Sequence, residues 1–125
     1  MLFDWKRFLL LAEELGKRAQ DEAALRSAVS RAYYAGYCKA RNLLRDEGVT
    51  IPTTGPVHVF VWSTYRNASD RRRVSVGTDG DRLRRKRNRA DYDDEFSGLE
   101  KEVPVALQKA GRLLETLDHL SAQTP

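Results

Sequence analysis

The stretch Asp21 to Gly48, DEAALRSAVSRAYYAGYCKARNLLRDEG, decides the fold class. Asp21 has the short carboxylate that caps a helix start, and Gly48 is the residue that most easily takes the left-handed stop. Between them Ala24, Leu25, Ala28, Val29, Ala32, Tyr33, Gly36, Ala40, Leu43 and Leu44 recur at helical spacing. The pattern predicts one amphipathic helix of about seven turns. Such a helix buries its apolar stripe against other helices, so the rest of the chain is read for partners.

Upstream, Asp4 reads as an N-cap, Phe3 and Phe8 as a hydrophobic staple, and Leu9, Ala12 and Leu15 or Gly16 as the inward face. Downstream, Gly48 to Gly55 is a turn-rich linker, and Pro56 suits the first position of a third helix through Val57, Phe60, Val61 and Thr64. Val57 to Trp62 has strand-like composition too, but no second strand exists to pair with it. Ser69 to Asp81, with Gly77 and Gly80, reads as a polar hinge in which Arg71, Arg72 and Arg73 form a mobile triplet. A fourth helix is expected to begin near Asp81 and to include Leu83 and Ala90. A fifth carries Val105 or Ala106, Leu107, Ala110, Leu113, Leu114, Leu117 and Leu120. Ser97 and Glu100 form a capping-box pattern before it, and Pro104 implies either a kink or a helix start there. The expectation is a single domain over 1–125, all-α, an up-and-down bundle of four to five helices.

With 125 residues, 41% hydrophobic and 32% charged, the chain is long enough to bury a core without metal or disulfide staples. Its longest early apolar run, Phe8 to Ala12, is flanked by Lys6, Arg7, Glu13 and Glu14, which suits neither a membrane span nor a signal peptide. A cytoplasmic location and no membrane association are expected. Cys38 is the single cysteine and His58 and His119 are the two histidines, which excludes an intrachain disulfide and argues against a metal centre; no cofactor is expected.

The net charge of +4 is unevenly spread. Residues 71–89 hold nine basic side chains against Asp79 and Asp81, whereas Asp91, Asp93, Asp94, Glu95, Glu100 and Glu102 follow with only Lys101 to oppose them. A basic block of this kind attracts a phosphate backbone, and a solvated basic helix has the same composition. With Leu83 as the inward direction, about 100° per residue puts Ala90 beside it, Arg87 on the inner shoulder, then Asp91, Arg84, Asn88 and finally Tyr92 opposite. Two readings stay open. Arg87 and Asp91 form a structural ion pair one turn apart, or Arg84, Arg87, Asn88 and Tyr92 form a donor-rich arc that a phosphodiester enters.

Two segments together resemble the HEPN family of small helical-bundle proteins. One is Arg26-Ser27-Ala28-Val29-Ser30-Arg31-Ala32-Tyr33-Tyr34-Ala35-Gly36-Tyr37, followed by Ala40-Arg41-Asn42-Leu43-Leu44; the other is Leu83-Arg84-Arg85-Lys86-Arg87-Asn88-Arg89-Ala90-Asp91-Tyr92-Asp93. The second is similar to the Arg-x-x-Ala-Asp-Tyr segment of one HEPN subgroup, and His58 sits where that subgroup often has a histidine. The resemblance implies a homodimer in which two copies of the fourth-helix motif face a shared cleft. It also implies a metal-independent endoribonuclease, acting as a toxin or in defence, often encoded beside a nucleotidyltransferase that neutralises it. The family's active motif is an arginine, usually a polar residue next, and a histidine four to six residues further along. Arg87 and Asn88 match it, and Tyr92 stands five residues after Arg87 in place of the histidine. A tyrosine with a pKa near 10 is a poor proton acceptor at neutral pH.

The resulting expectation is a HEPN-like RNA-acting protein. Arg87, Asn88 and Tyr92 are its catalytic candidates, Arg71, Arg72, Arg73, Arg84 and Arg87 its RNA contacts, and Asp91 the structural partner of Arg87. By analogy with some relatives, Tyr92 is also a candidate target of nucleotide transfer. The alternative is a non-catalytic dimeric module that binds a nucleotidyltransferase or another protein. Tyr33, Tyr34 and Tyr37 are assigned to the core and dimer seam, and His58 to a hydrogen-bonded structural role. Because no dense aromatic platform is evident beside the basic residues, RNA binding is expected to be electrostatic and sequence-tolerant.

Overall fold

Local signals set most helix boundaries. In the computed structural model, which describes residues 2–123, Asp4 Oδ1 accepts from the Lys6 N–H at 3.1 Å, and α1 runs Lys6–Gly16. The Phe3 and Phe8 rings meet edge to face at 5.4 Å, as a staple requires. Asp21 accepts from the Ala24 N–H at 3.1 Å and opens α2, Glu22–Asp46, with Gly48 at φ +90° just beyond its end. The third helix, α3, spans Val57–Arg66 after Pro56. Among the described residues there is no strand for Val57 to Trp62 to pair with.

The expected hinge is helix instead. Asp70 caps α4 through the Arg72 N–H at 2.8 Å, and α4 then runs unbroken over Arg71–Tyr92, ten residues earlier than its expected start at Asp81. Gly77 and Gly80 are not breaks in it but the surface on which α3 lies. A Cβ on Gly80 would stand 2.2 Å from the buried Trp62 ring, and one on Gly77 would stand 2.6 Å from the Trp62 carbonyl. The helix tolerates two poor formers because the absent side chains let α3 approach.

The last helix, α5, spans Leu99–Ala122 and passes through Pro104, so it does not start there. Its N-cap is Gly98 at φ +73°, with no side-chain cap, and the expected Ser97 capping box is absent. Leu113, Leu114, Leu117 and Leu120 supply its buried stripe. Helix α2 packs against α1, α4 and α5, while α3 packs chiefly on α4. Short connections join successive helices, giving the all-α up-and-down bundle that the periodicity predicts. Among the described residues no helix is long and apolar enough to cross a membrane.

Candidate functional site

Leu83 and Ala90 are buried on the inner face of α4, and helical spacing puts Arg87 on the shoulder beside them. Its side chain is only 11% exposed and reaches Asp91 at 3.6 Å, the ion pair of the first of the two readings. The guanidinium carbon sits 5.1 Å from the Tyr33 ring centre and 5.3 Å from that of Tyr34. Its Nε is buried without a hydrogen-bond partner among the described residues, so Asp91 satisfies the guanidinium incompletely. Asp91 is shared with α2, where Ser30 Oγ donates to Oδ2 at 3.3 Å. Beside them, Arg26, Ser27, Ser30, Arg31, Ala90 and Asp91 line an open groove of about 340 Å³.

Tyr33 is fully buried, and its hydroxyl joins α2 to α3. Trp62 Nε1, which can only donate, reaches it at 3.0 Å, and His58 Nδ1 lies 2.6 Å away. With the indole donating to the oxygen, the hydroxyl proton satisfies its own bond by going to His58 Nδ1. That assignment makes His58 a neutral ring with its proton on Nε2. Tyr37 stacks on the imidazole at 3.8 Å with an interplanar angle of 5°. The structural, hydrogen-bonded role expected for His58 is therefore present, and Tyr33 and Tyr37 lie in the core.

Burial, reinforced by the charges of Arg87, Arg84 and Arg41, pushes the His58 pKa down to about 4. An unfolded histidine titrates near 6.5, so between these values the unfolded chain binds more protons and stability falls as pH is lowered. Urea midpoints should therefore drop between pH 6.5 and 4, and His58→Gln should flatten that part of the profile. A profile as steep in the variant as in the wild type would remove His58 as its cause. Asp70, held down to about 2 mainly by the Arg72 hydrogen bond, adds stability that is present above the normal carboxylate range and is lost as pH falls from there toward 2.

Around this cluster lie arginines whose partners are rings. Arg31 covers Phe8 at 4.9 Å and Tyr34 at 5.5 Å, and Arg41 covers Trp5 at 5.8 Å and Tyr37 at 5.9 Å. Among the described residues neither has a carboxylate partner, although Arg41 also bonds the Asn42 amide oxygen. The expectation was that no dense aromatic platform lies beside the basic residues; single rings, buried or half-buried, do lie beside Arg31 and Arg41. Folding brings Phe8 of α1 and Tyr34 of α2 onto Arg31, and Trp5, just before α1, with Tyr37 of α2 onto Arg41.

Most of the α4 basic block is answered by carboxylates instead. Arg72 pairs with Asp70 at 2.9 Å and bonds Gln123; Arg73 pairs with Glu47; Lys86 reaches Glu102 at 2.8 Å. Asp81, buried at 6% exposure, receives Arg84 at 3.0 Å, Arg85 at 2.9 Å and Arg66 at 3.8 Å. Arg71, Arg72 and Arg73 form the first turn of α4 rather than a mobile triplet. At the other end, Arg26 Nη1 donates to the carbonyls of Ala90 at 3.0 Å and Asp93 at 2.6 Å, which ties the last turn of α4 to α2. Asn88 is half-buried, and Tyr92 is 75% exposed, about 140° around the helix from Arg87.

The fold thus gathers Arg87 and Asp91 with Tyr33, Tyr34 and His58, while Tyr92 faces solvent elsewhere. Arg31, Arg41 and Asp81 were not singled out by sequence. For the first two, the spacing Arg31, Tyr34, Arg41 on one side of α2 was the available signal. Cys38 is buried and its thiol is pushed up by burial, as for an inert core cysteine. Among the described residues no three His, Cys, Asp or Glu side chains gather as metal ligands would. Compared with family models, with curated proteins and with solved structures, the chain matches none.

Proposed function

We propose that this protein is a HEPN-like RNA-acting protein of the cytoplasm, which works as a homodimer and holds the RNA backbone on its arginine–aromatic face. One observation carries the reading. Arg31, Arg41 and Arg87 are set against Phe8, Trp5 and three tyrosines, and neither Arg31 nor Arg41 has a carboxylate partner among the described residues. A cation held on rings rather than by a carboxylate keeps N–H groups for phosphate, and of the neighbouring rings only the half-buried Trp5, Phe8 and Tyr34 have surface to offer a base, because Tyr33 and Tyr37 are buried. Retention rather than strand cleavage follows from the chemistry available. Tyr92 faces solvent away from Arg87, and His58 Nδ1 is occupied by Tyr33.

The test is binding of a labelled single-stranded RNA, with a parallel assay for its cleavage. Wild type should bind with an affinity that falls steeply with salt and should leave the strand intact. Arg87→Lys keeps the charge but loses the planar fork and its stacking on Tyr33 and Tyr34, so binding should weaken about tenfold with the protein still folded. Absence of wild-type binding at low salt would overturn the reading, and metal-independent cleavage abolished by Arg87→Lys would restore the ribonuclease in its place.

A second reading is the non-catalytic module that binds a nucleotidyltransferase. It is favoured by the ion pairs of Arg72, Arg73, Arg84, Arg85 and Lys86, which leave much of the basic block neutralised within the chain. Stoichiometric complex formation with a co-expressed nucleotidyltransferase, with no RNA affinity, would establish it.

A further inference from the structure

The imidazole of His58 carries an asymmetry that the arginine–aromatic face does not by itself require. One ring nitrogen is committed: Nδ1 lies 2.6 Å from the Tyr33 hydroxyl, and since Trp62 Nε1 donates to that buried oxygen, assigning Nδ1 as the acceptor is what gives the hydroxyl proton a partner. The other is free. Nε2 has no hydrogen-bond partner among the described residues, yet it is not among the polar atoms sealed from solvent. The ring is clamped by Tyr37 at 3.8 Å, with Tyr34 edge-on at 6.0 Å, so its orientation is fixed before any ligand arrives. The charged groups that act on it are Arg87, Arg84 and Arg41; Asp91 answers the first and Asp81 the second, and among the described residues Arg41 has no carboxylate partner. A neutral N–H donor held in place amid guanidiniums is an arrangement that favours an anion.

We propose that His58, through Nε2–H, is a phosphate-binding residue that positions one phosphodiester of the RNA beside Arg41, Arg84 and Arg87, and that it does not act as a proton acceptor. The inference rests on the RNA-binding reading of this face and deepens it. The Trp62 to Tyr33 to His58 chain of donors sets the tautomer, and the tautomer sets the chemistry. A ring with its proton on the open nitrogen has no lone pair there to take a proton from a ribose hydroxyl. It can donate one hydrogen bond to a phosphate oxygen, and the surrounding guanidiniums supply the charge.

The experiment has two arms. In the first, nitrogen-15 NMR of the wild-type protein at pH 7 reads the His58 ring, with exposed His119 as the internal reference. Protonated Nε2 and unprotonated Nδ1 are expected, and added inorganic phosphate or the dinucleotide UpU should move the Nε2 resonance while leaving His119 nearly unmoved. An Nδ1–H ring, or an Nε2 signal indifferent to both probes, would overturn the proposal. In the second, RNA affinity is compared for His58→Ala and His58→Gln. Loss of one hydrogen bond to a charged oxygen should weaken the alanine variant about tenfold. Glutamine offers an amide oxygen to Tyr33 and an N–H to phosphate, so it should recover most of the affinity. If wild type binds RNA and His58→Ala binds it equally well, this proposal fails and the RNA reading stands. If wild type binds no RNA, the RNA reading fails, and the phosphate titration of the wild-type ring still decides whether the anion site exists.

Discussion

Gly80→Ala should destabilise the protein by about 3 kcal/mol, a fall of roughly 10 °C in Tm for a domain of this size. Alanine is the better helix former by about 1 kcal/mol, so on propensity alone the change should stabilise α4. Packing reverses the sign. The new methyl would stand 2.2 Å from Cε3 and 2.3 Å from Cζ3 of Trp62, a ring with no exposed surface whose Nε1 is bonded to Tyr33. Neither atom is the far end of a flexible side chain, so α3 itself must move. Gly111→Ala is the internal control. It sits inside α5 with nothing within 4 Å of the added carbon, and it should stabilise by about 0.5–1 kcal/mol. Thermal melts showing the two alanines alike would mean that α3 does not lie on α4 as described.

Asp81→Asn should cost about 3 kcal/mol by chemical denaturation, although it changes almost nothing in volume. The carboxylate is buried and is the shared partner of Arg66, Arg84 and Arg85. An amide cannot neutralise them, and three guanidiniums would be left facing one another. Arg85→Ala should be mild by contrast, because its side chain is 71% exposed and Asp81 keeps its other two partners. Equal losses from the two substitutions would remove Asp81 as the centre of this network.

What was legible in the sequence was what is local. The Asp21 cap, the Phe3–Phe8 staple and the Arg87–Asp91 pair each involve residues within one or two turns, and each forms in the structure. The start of α4 was misread because Gly77 and Gly80 look like breakers, when their cause is a ring on another helix. Asp70 was the local signal for that start, and it does cap the helix. The hydrogen-bonded chain of Trp62, Tyr33 and His58 had one local clue, the one-turn spacing of His58 and Trp62. Its third member, Tyr33, lies 25 residues before His58, so only tertiary packing joins them. Arg31 and Arg41 were not read as ring-held cations in the sequence, because the rings that hold them include Trp5 and Phe8, brought in with α1.

The most direct measurement is the salt dependence of RNA affinity for two double variants of equal charge change. Arg31→Gln with Arg41→Gln strips the arginine–aromatic face. Arg71→Gln with Arg82→Gln removes two exposed arginines of α4 for which, among the described residues, no ion pair occurs. If the backbone lies on the face, the first pair should weaken binding at least about tenfold and make the salt slope shallower by about 1.4, as for two lost single-strand phosphate contacts. The second pair should change affinity by no more than about threefold. Equal losses from both pairs, or a larger loss from Arg71 and Arg82, would contradict the account, because binding would then follow net charge and not the face.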